Sequence, residues 1–513
     1  MEKLNEKKVI NYYLNKIEKE EIQFLKNKTI YKERIKKLII SLRDEELLHN
    51  KIEISKELWK QLFEAAMSSI DPDKRGFDDL FEYFDKYVEF EELIFASDSF
   101  YRDHTMHCLW VYFLGEYIKS EEEFNFITCK MEKEYQRIKL LKEEFEKFEG
   151  IIDFSNMLNI IDEFIKSVIH HDAERCIIAL THDLGYPIKK INKINKSISK
   201  VLPYYGINNY NEFIFDYTDI QGKLIEEFIQ FIASECEMEF KVQSDDDYLS
   251  KKILKKILLN SENGLIKFNF EEISLLTEEE KIQVKNMFDL KIEWKKVLNN
   301  NLRYYEDFES YSHGIMSAFL LLKTVGSFSK INLKYSDLNN IKLLDFNLVN
   351  LMCKQNILRA ITDHNCKNYQ ITSIKENSDF LILMDELEEF SRISRANQNR
   401  QFINEFCKSN IYTEDGYLII DFIFNNKDID NLDPEMAFKG RCKRFLTLFN
   451  IPELDEDLKI KLRCIGELDY DKNVYELTLS KKYANIKIND EEKDIPTYLK
   501  SNQFYSKEEY MLL

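Results

Sequence analysis

An imidazole and a carboxylate stand side by side at the end of an apolar run. The apolar residues 177–180 lead into His182 and Asp183, and Gly185 and Pro187 follow. Glycine and proline in these places are typical of a helix that ends just past its last turn. We therefore expect His182 and Asp183 to lie at the C-terminal end of a buried helix. A buried polar pair is costly unless a partner compensates it, and a metal ion suits both side chains.

Three more histidines and a second aspartate occupy the ends or the apolar faces of predicted helices. His107 shares its face with apolar residues 4, 7 and 11 positions later, and His313 opens a segment that is apolar nearly all round. His364 follows apolar residues 4, 7 and 11 positions earlier, and Asp385 follows apolar residues 3 and 4 positions earlier. Taken singly, each histidine is better explained as a buried or helix-terminal side chain with one hydrogen bond. A buried carboxylate without a partner is rare, so Asp385 already indicates a function.

Taken together, these side chains indicate one metal site. Imidazole and carboxylate groups are the ligands that suit Mn, Fe, Co, Ni or Zn. Separate structural explanations for every one of them would require several coincidences. The sequence therefore predicts a metal centre built from side chains at the ends of buried helices: His107, His182, Asp183, His313, His364 and Asp385.

The elements that must position these side chains are predicted to be helices. Gly (12) and Pro (6) are scarce among 513 residues, while Phe (37) and Tyr (28) are plentiful. This composition favours long helices with few breaks, so we expect a mainly α protein with a helical N-terminal region and a small α+β C-terminal domain.

We predict three parts of the chain. They are a helical N-terminal region (1–90), a central domain (91–400) with a polar insertion (190–310), and a small α+β accessory domain (401–513). Within the insertion we expect helical segments at residues 224–232 and 253–259. Within the last part, residues 417–424 and 474–480 indicate strands, and residues 436–449 between them indicate a helix.

Net charge and cysteine content limit the partners. Lys and Arg number 73 against 92 Asp and Glu, a formal net charge of −19, so we expect no extended surface for nucleic acid. A small phosphorylated compound is still a possible partner, because bound metal ions dominate the electric field near them.

Nine cysteines without a C-x-x-C pair fit a reducing cytoplasm. The sequence contains no signal-peptide pattern and no apolar run of about 18 residues, so we expect no membrane association.

The ordered residues also resemble a known family. The order His107, His182-Asp183, Asp385 is similar to the H…HD…D signature of the HD superfamily of metal-dependent phosphohydrolases, and the similarity covers about residues 95–400. The sequence around residues 101–104, 181–187 and 385–392 resembles that of bacterial HD proteins. The resemblance implies an all-α bundle with two ions, the first bound by His107, His182, Asp183 and Asp385, and the second bound by His313 and His364 and bridged by Asp183.

Two features leave the substrate class open. Family members that hydrolyse deoxynucleoside triphosphates usually carry another histidine soon after the HD pair, where this chain has Tyr186-Pro187-Ile188. The cyclic-dinucleotide class places its third histidine much nearer to the HD pair.

A second HD pair, His171-Asp172, competes with the first, and Asp172 is better explained as the N-cap of the helix that leads to His182.

Further residues are candidates for catalysis and for substrate binding. Asp183 is expected to orient the nucleophile, and His104, one turn before His107, is a candidate proton donor. Arg102, Lys189 and Lys190 flank the motifs and could donate to phosphate oxygens, although each is more often a solvated surface residue. His171 is a further candidate to reach the site, as a proton donor or as a substrate-binding residue. Arg392, seven residues after Asp385, is expected on the same helical face.

The sequence thus predicts a divalent-metal-dependent nucleotide phosphohydrolase in the cytoplasm. The leading function is a (deoxy)nucleoside triphosphate hydrolase that uses a metal-bound hydroxide, with two divalent ions drawn from Mn, Fe, Co, Ni, Zn or Mg. The alternatives are a phosphodiesterase for cyclic mono- or oligonucleotides and a non-catalytic nucleotide sensor on an HD fold. The expected partner is a small phosphorylated nucleotide, and a homo-oligomer stays open.

Overall fold

The structure is a computed structural model in which most of the chain is described. The described residues are 4–72, 76–95, 100–169, 171–207, 209–211, 217–242, 248–259, 267–329, 348–366, 369–390, 392–394, 407–424, 434–468 and 471–493. Within them the protein is mainly α, as the sequence predicts, with a small β-sheet region towards the C-terminus.

Most helices belong to the N-terminal and central parts of the chain. Their bounds are α1 Glu6–Glu18, α2 Thr29–Asp44, α3 Leu48–Ile70, α4 Asp78–Phe95, α5 His104–Ser120, α6 Asn125–Thr128, α7 Lys133–Glu146, α8 Ser155–Ile169, α9 His171–Thr181, α10 Tyr186–Val201, α11 Asp219–Ala233, α12 Tyr248–Ile257, α13 Phe270–Ser274, α14 Glu278–Met287, α15 Leu298–Glu309, α16 His313–Thr324, α17 Gly326–Ser329, α18 Leu348–Asp363, α19 Asn377–Leu387 and α20 Pro434–Leu448.

The strands are short and belong to four sheets. Their bounds are β1 Phe100–Arg102, β2 Ser234–Val242, β3 Leu258–Leu259, β4 Lys267–Phe268, β5 Phe288–Lys296, β6 Arg392–Ser394, β7 Cys407–Glu414, β8 Tyr417–Phe424, β9 Ile460–Leu468, β10 Asp471–Ser480, β11 Tyr483–Ile488 and β12 Glu491–Lys493. Three of the sheets are antiparallel pairs, β1 with β6, β2 with β5 and β3 with β4.

Helix α9 lies at the centre of the bundle. It contacts α3, α5, α8, α18 and α19, and most of its surface is buried because apolar residues occur on nearly all its faces. Trp59 of α3 donates its indole N–H to the carbonyl oxygen of Leu180 (2.6 Å), which fixes the last turn of α9. Helix α5 beside it is buried over almost its whole length. These two helices therefore hold His107 and His182 on a rigid support.

The N-terminal helices pack directly against this centre. They share one hydrophobic cluster with the central helices and with the C-terminal sheet. At their contact Lys16 and Arg175 both pair with the buried carboxylate of Glu116, at 3.1 and 2.8 Å. Burial opposes ionisation of Glu116, but the charges of Arg175 and Lys16 outweigh it and lower its pKa to about 2. The predicted domain boundaries near residues 90 and 400 stay predictions.

The predicted insertion contains strands as well as helices. The expected helical segments correspond to α11 and α12, although residues 258–259 belong to β3 rather than to a helix. The paired strands β2 and β5 are an addition to the sequence prediction. Both alternate apolar and polar residues at every second position, which is the strand pattern. Part of this region forms a second hydrophobic cluster together with residues of α7 and α8.

The C-terminal region is an α+β unit, as predicted. Its six-stranded sheet has the order β12-β11-β10-β9-β8-β7, and all neighbours are antiparallel except β8 and β9. The predicted strand at 417–424 is β8, and the one at 474–480 lies within β10. Helix α20, predicted at 436–449, connects the parallel strands β8 and β9. Among the described helices, none combines the length and the apolar character needed to cross a bilayer.

Candidate metal centre

The six predicted ligands lie at the ends of five helices. His107 is in the first turn of α5, and His182 and Asp183 form the turn that follows α9. His313 is the first residue of α16, His364 follows the last residue of α18, and Asp385 lies in the last turn of α19. Helix ends leave backbone groups unpaired and give short chain reversals, so they can bring polar side chains from several directions to one place.

Two glycines allow the backbones to approach closely here. A Cβ atom on Gly185 would lie 2.3 Å from the carbonyl oxygen of His313, and one on Gly314 would lie 2.6 Å from that of Ile361. The N–H of Gly185 donates to the Ser317 hydroxyl (2.7 Å), whose oxygen lies 2.7 Å from the carbonyl oxygen of His182. The HD turn is therefore packed tightly onto α16, and any larger side chain at Gly185 would separate them.

The carboxylate of Asp183 is the centre of the cluster. Its Oδ1 atom lies 3.2 Å from Nε2 of His313 and 3.6 Å from Nε2 of His364. Its Oδ2 atom lies 3.4 Å from Nε2 of His182 and 3.7 Å from Nε2 of His107. The two oxygens therefore face two different pairs of imidazoles, so Asp183 could contribute to a metal site on either side.

The spacing of the donor atoms fits metal ligation. Nε2 of His107 lies 2.9 Å from Oδ1 of Asp385, and Nε2 of His364 lies 3.0 Å from Nε2 of His313. Adjacent ligands of an octahedral ion with bonds of about 2.1 Å are themselves about 3 Å apart. Two overlapping groups have donor atoms within 4.8 Å of one another and could hold an ion: His107 with His182 and Asp385, and His182 with Asp183 and His364.

Burial keeps the imidazoles in the form that binds metals. His182 is fully buried, and its Nε2 atom makes no hydrogen bond within the described structure. Burial lowers the pKa of His182 to about 4 and that of His313 to about 3, so both are neutral at physiological pH. Burial alone would raise the pKa of Asp183, but the surrounding imidazoles hold it well below its ordinary value. The ionised carboxylate of Asp183 and the neutral imidazoles of His182 and His313 are strong donors for a cation.

Hydrogen bonds to the other ring nitrogens orient three of these histidines. Nδ1–H of His107 donates to Oε2 of Glu388 (2.6 Å), and the Nδ1–H groups of His182 and His364 donate to carbonyl oxygens at 2.8 and 2.5 Å. Because these acceptors cannot donate, the lone pair of each ring lies on Nε2, which faces Asp183. Nδ1 of His313 lies instead 2.9 Å from Nδ2 of Asn365.

Replacement of Glu388 by glutamine is expected to weaken metal binding. The Glu388 side chain is completely buried and holds the tautomer of His107, and loss of such a supporting carboxylate costs roughly 10- to 100-fold in metal affinity. Competition with a chelating dye would measure the Mn²⁺ dissociation constant. Glu389→Gln, which changes the next residue, is the control and should leave the affinity unchanged. An unchanged dissociation constant in folded Glu388→Gln would contradict this role.

His104 lies at the edge of the cluster and has a carboxylate partner. Its Nδ1 atom bonds to Glu91 of α4, its Nε2 atom is 4.0 Å from Oδ2 of Asp183, and its ring contacts Tyr186. Burial opposes protonation of His104, but Glu91 outweighs it, so the pKa of His104 is raised. The sequence prediction missed Glu91. The helical period could have indicated Glu91, because it lies seven residues after Phe84 and therefore on the same buried face of α4.

The other predicted substrate residues differ in position. Nζ of Lys189 lies 3.4 Å from Nδ1 of His313, and Nζ of Lys190 lies 4.6 Å from the centre of the Tyr186 ring, so both are beside the cluster. Arg102 belongs to β1, but its side chain lies outside the described residues.

His171 is not brought to the cluster. It is the first residue of α9, whereas His182 follows the other end, roughly 16 Å away along the helix axis. Asp172 lies in the first turn rather than at the predicted N-cap, and it accepts from the N–H groups of Ala173 and Phe24 at 2.8 and 3.1 Å. Arg392 does not extend the face of Asp385, because α19 ends at Leu387; its side chain lies outside the described residues.

Comparisons of the chain with protein-family models, with curated proteins and with solved structures give no significant match. The structure itself contains a buried histidine and aspartate cluster that could bind metal and that is compatible with an HD-type site. Membership of the HD superfamily therefore stays an inference from the order of these residues and from their convergence.

Proposed function

We propose that the protein is a divalent-metal-dependent phosphohydrolase that acts on a small phosphorylated nucleotide. The observation that supports it most is the convergence of imidazoles from four helix ends on the two oxygens of Asp183. A buried donor set of this kind has no structural purpose of its own, because neutral histidines and an isolated carboxylate cost free energy when buried.

The donors suit two ions. His107, His182, Asp183 and Asp385 would hold the first, and Asp183, His313 and His364 the second, from Mn, Fe, Co, Ni, Zn or Mg. When bound, such ions lower the pKa of water and offset negative charge on a phosphoryl group. The chain's own contribution is the placement of neutral Nε2 donors and of the bridging carboxylate before substrate arrives.

His104 is the proposed proton donor to the leaving oxygen. Against the effect of burial, Glu91 raises the pKa of His104, and its bond to Nδ1 leaves Nε2 directed towards Asp183. Glu91 would hold the ring in place and favour its protonated form. A histidine whose pKa is raised suits donation of a proton to the leaving group in phosphoester hydrolysis.

The charges around the cluster support an anionic substrate. Lys189 lies next to His313, and Lys190 lies over the ring of Tyr186, so both cations border the predicted second ion site. The protein as a whole carries a formal charge of −19, which favours a small phosphorylated compound over a long nucleic acid.

None of the eight cysteines with described side chains forms a disulfide, which supports a cytoplasmic location.

Hydrolysis of (deoxy)nucleoside triphosphates is the leading form of this reaction. Hydrolysis of cyclic mono- or oligonucleotides is the second candidate, favoured by the two facing pairs of imidazoles, because two ions clamp the attacking and leaving oxygens of a phosphodiester. A nucleotide sensor without catalysis is the third.

A nucleotide panel separates these candidates. The full chain, loaded with Mn²⁺, is incubated with nucleoside triphosphates and with cyclic nucleotides. We expect release of inorganic tripolyphosphate or phosphate from the first group; a linear nucleotide from the second would support the phosphodiesterase. His182→Ala should remove the activity. Tight nucleotide binding without turnover, retained in His182→Ala, would instead support the sensor, and no reaction of the metal-loaded protein with either group would contradict an enzyme.

A further inference from the structure

Helix α20 of the C-terminal unit reaches the end of the helix that carries Asp385. Arg441 pairs with Glu389 (2.8 Å between Nη2 and Oε1), and Arg444 pairs with Glu386 (2.5 Å between Nε and Oε1). The two arginines are three residues apart and so share one face of α20. Glu386 directly follows Asp385, so this face of α20 meets the same end of α19 that carries Asp385.

The two arginines are held in different ways. The guanidinium of Arg441 is enclosed, with its carboxylate partner and with the Phe422 ring 3.5 Å from its Cζ atom. Arg444 is anchored only through Nε, and within the described part of the chain its Nη1 and Nη2 atoms make no hydrogen bond. Its side chain is 37% exposed. One edge of this guanidinium is therefore fixed while two amino groups stay available.

Arg444 is also within the electrostatic reach of the metal centre. Burial acts against its charge, but Glu386 and then Asp385 stabilise that charge and raise the pKa of Arg444. Asp385 therefore contributes to the field at Arg444, while Glu386 is the residue that binds it.

We propose that Arg444 binds a phosphate group of the substrate beside Asp385, so that the C-terminal unit supplies part of the substrate site. This proposal rests on the phosphohydrolase function proposed above. A planar guanidinium offers donors in the geometry of phosphate oxygens. Because Glu386 already fixes its orientation, Arg444 loses little conformational freedom when a ligand binds.

The position of Arg444 also narrows the class of substrate. Lys189 lies beside His313, on the Oδ1 side of Asp183. Arg444 is held by Glu386, the residue after Asp385, and Asp385 pairs with His107, which is on the Oδ2 side. Lys189 and Arg444 thus lie on opposite sides of the proposed metal centre. A substrate with two or more phosphate groups would meet both cations at once, so the site fits a nucleoside di- or triphosphate better than a monophosphate ester.

Inorganic phosphate is the probe that tests Arg444. Calorimetry measures its binding to the Mn²⁺-loaded full chain and to Arg444→Gln, in which we expect a roughly tenfold larger dissociation constant because a charge-assisted contact is lost. Arg444→Lys keeps the charge without the planar donors and should recover part of the affinity. Lys439→Gln is the matched control: it removes the same charge from α20, at a residue that pairs with Glu435, and should bind phosphate as the unchanged protein does.

Metal content and melting temperature are measured for each variant. Weaker phosphate binding in Arg444→Gln with unchanged metal content supports the proposal, even if no nucleotide is hydrolysed, in which case only the proposed reaction fails. Equal phosphate affinity in Arg444→Gln and the unchanged protein would overturn it, as would absence of phosphate binding to the unchanged protein. Loss of metal from Arg444→Gln would also overturn it, because Arg444 would then merely position Asp385.

Discussion

Replacement of Asp183 by asparagine is expected to remove tight metal binding. Both oxygens of Asp183 face imidazole nitrogens, and the residue supplies the negative charge at the middle of the cluster. Loss of a residue that only supports a ligand already costs roughly 10- to 100-fold in affinity, so loss of the central carboxylate should cost more than about 100-fold. Metal analysis after gel filtration measures this directly.

Thermal unfolding provides a second measurement of the same effect. An ion that binds only the folded state at 100 times its dissociation constant adds about 2.7 kcal/mol to the free energy of unfolding. We expect Mn²⁺ to raise the melting temperature of the unchanged protein and to leave that of Asp183→Asn unaltered. Asp172→Asn makes the same change in the competing HD pair and should keep the metal response. Full metal content in Asp183→Asn would contradict a centre at Asp183.

The sequence could single out the side chains that converge around Asp183, because each one lies on or at the end of an apolar helical face. His107 and Asp385 lie on faces whose other members are buried, and the helical period is enough to show this. The end of α9 was also predictable, because Gly185 follows the HD pair. The helical period does not show where a helix ends. The sequence placed Arg392 on the helical face of Asp385, but α19 ends at Leu387.

Residues that act through distant contacts were beyond the sequence argument. Glu91 of α4 supports His104, and Glu388, which directly follows α19, supports His107, so both roles depend on contacts between different elements. The choice between two HD pairs had a related difficulty, because both pairs flank the same helix. Only the packing of α16 against the turn after α9, through Gly185, shows which end meets the other histidines.

Replacement of His104 by glutamine is expected to lower kcat by roughly 10²- to 10⁴-fold while metal binding persists, the range typical of a lost general acid. His104 is not in either group of metal donors, and its partner is Glu91. His171→Gln is the control, because it removes a histidine at the far end of α9 and should leave kcat unchanged. Metal content in both variants should equal that of the unchanged protein.

The leaving group distinguishes proton donation from a merely structural effect. A nucleoside oxygen, which would leave when tripolyphosphate is released, needs a proton, whereas p-nitrophenolate is stable without one. If His104 is the general acid, the defect of His104→Gln should be large with the nucleotide and small with a p-nitrophenyl phosphoester. A distorted site would instead slow both substrates alike. Equal defects with the two leaving groups would therefore remove His104 from the chemistry, and would leave its bond to Glu91 as a support for the first turn of α5.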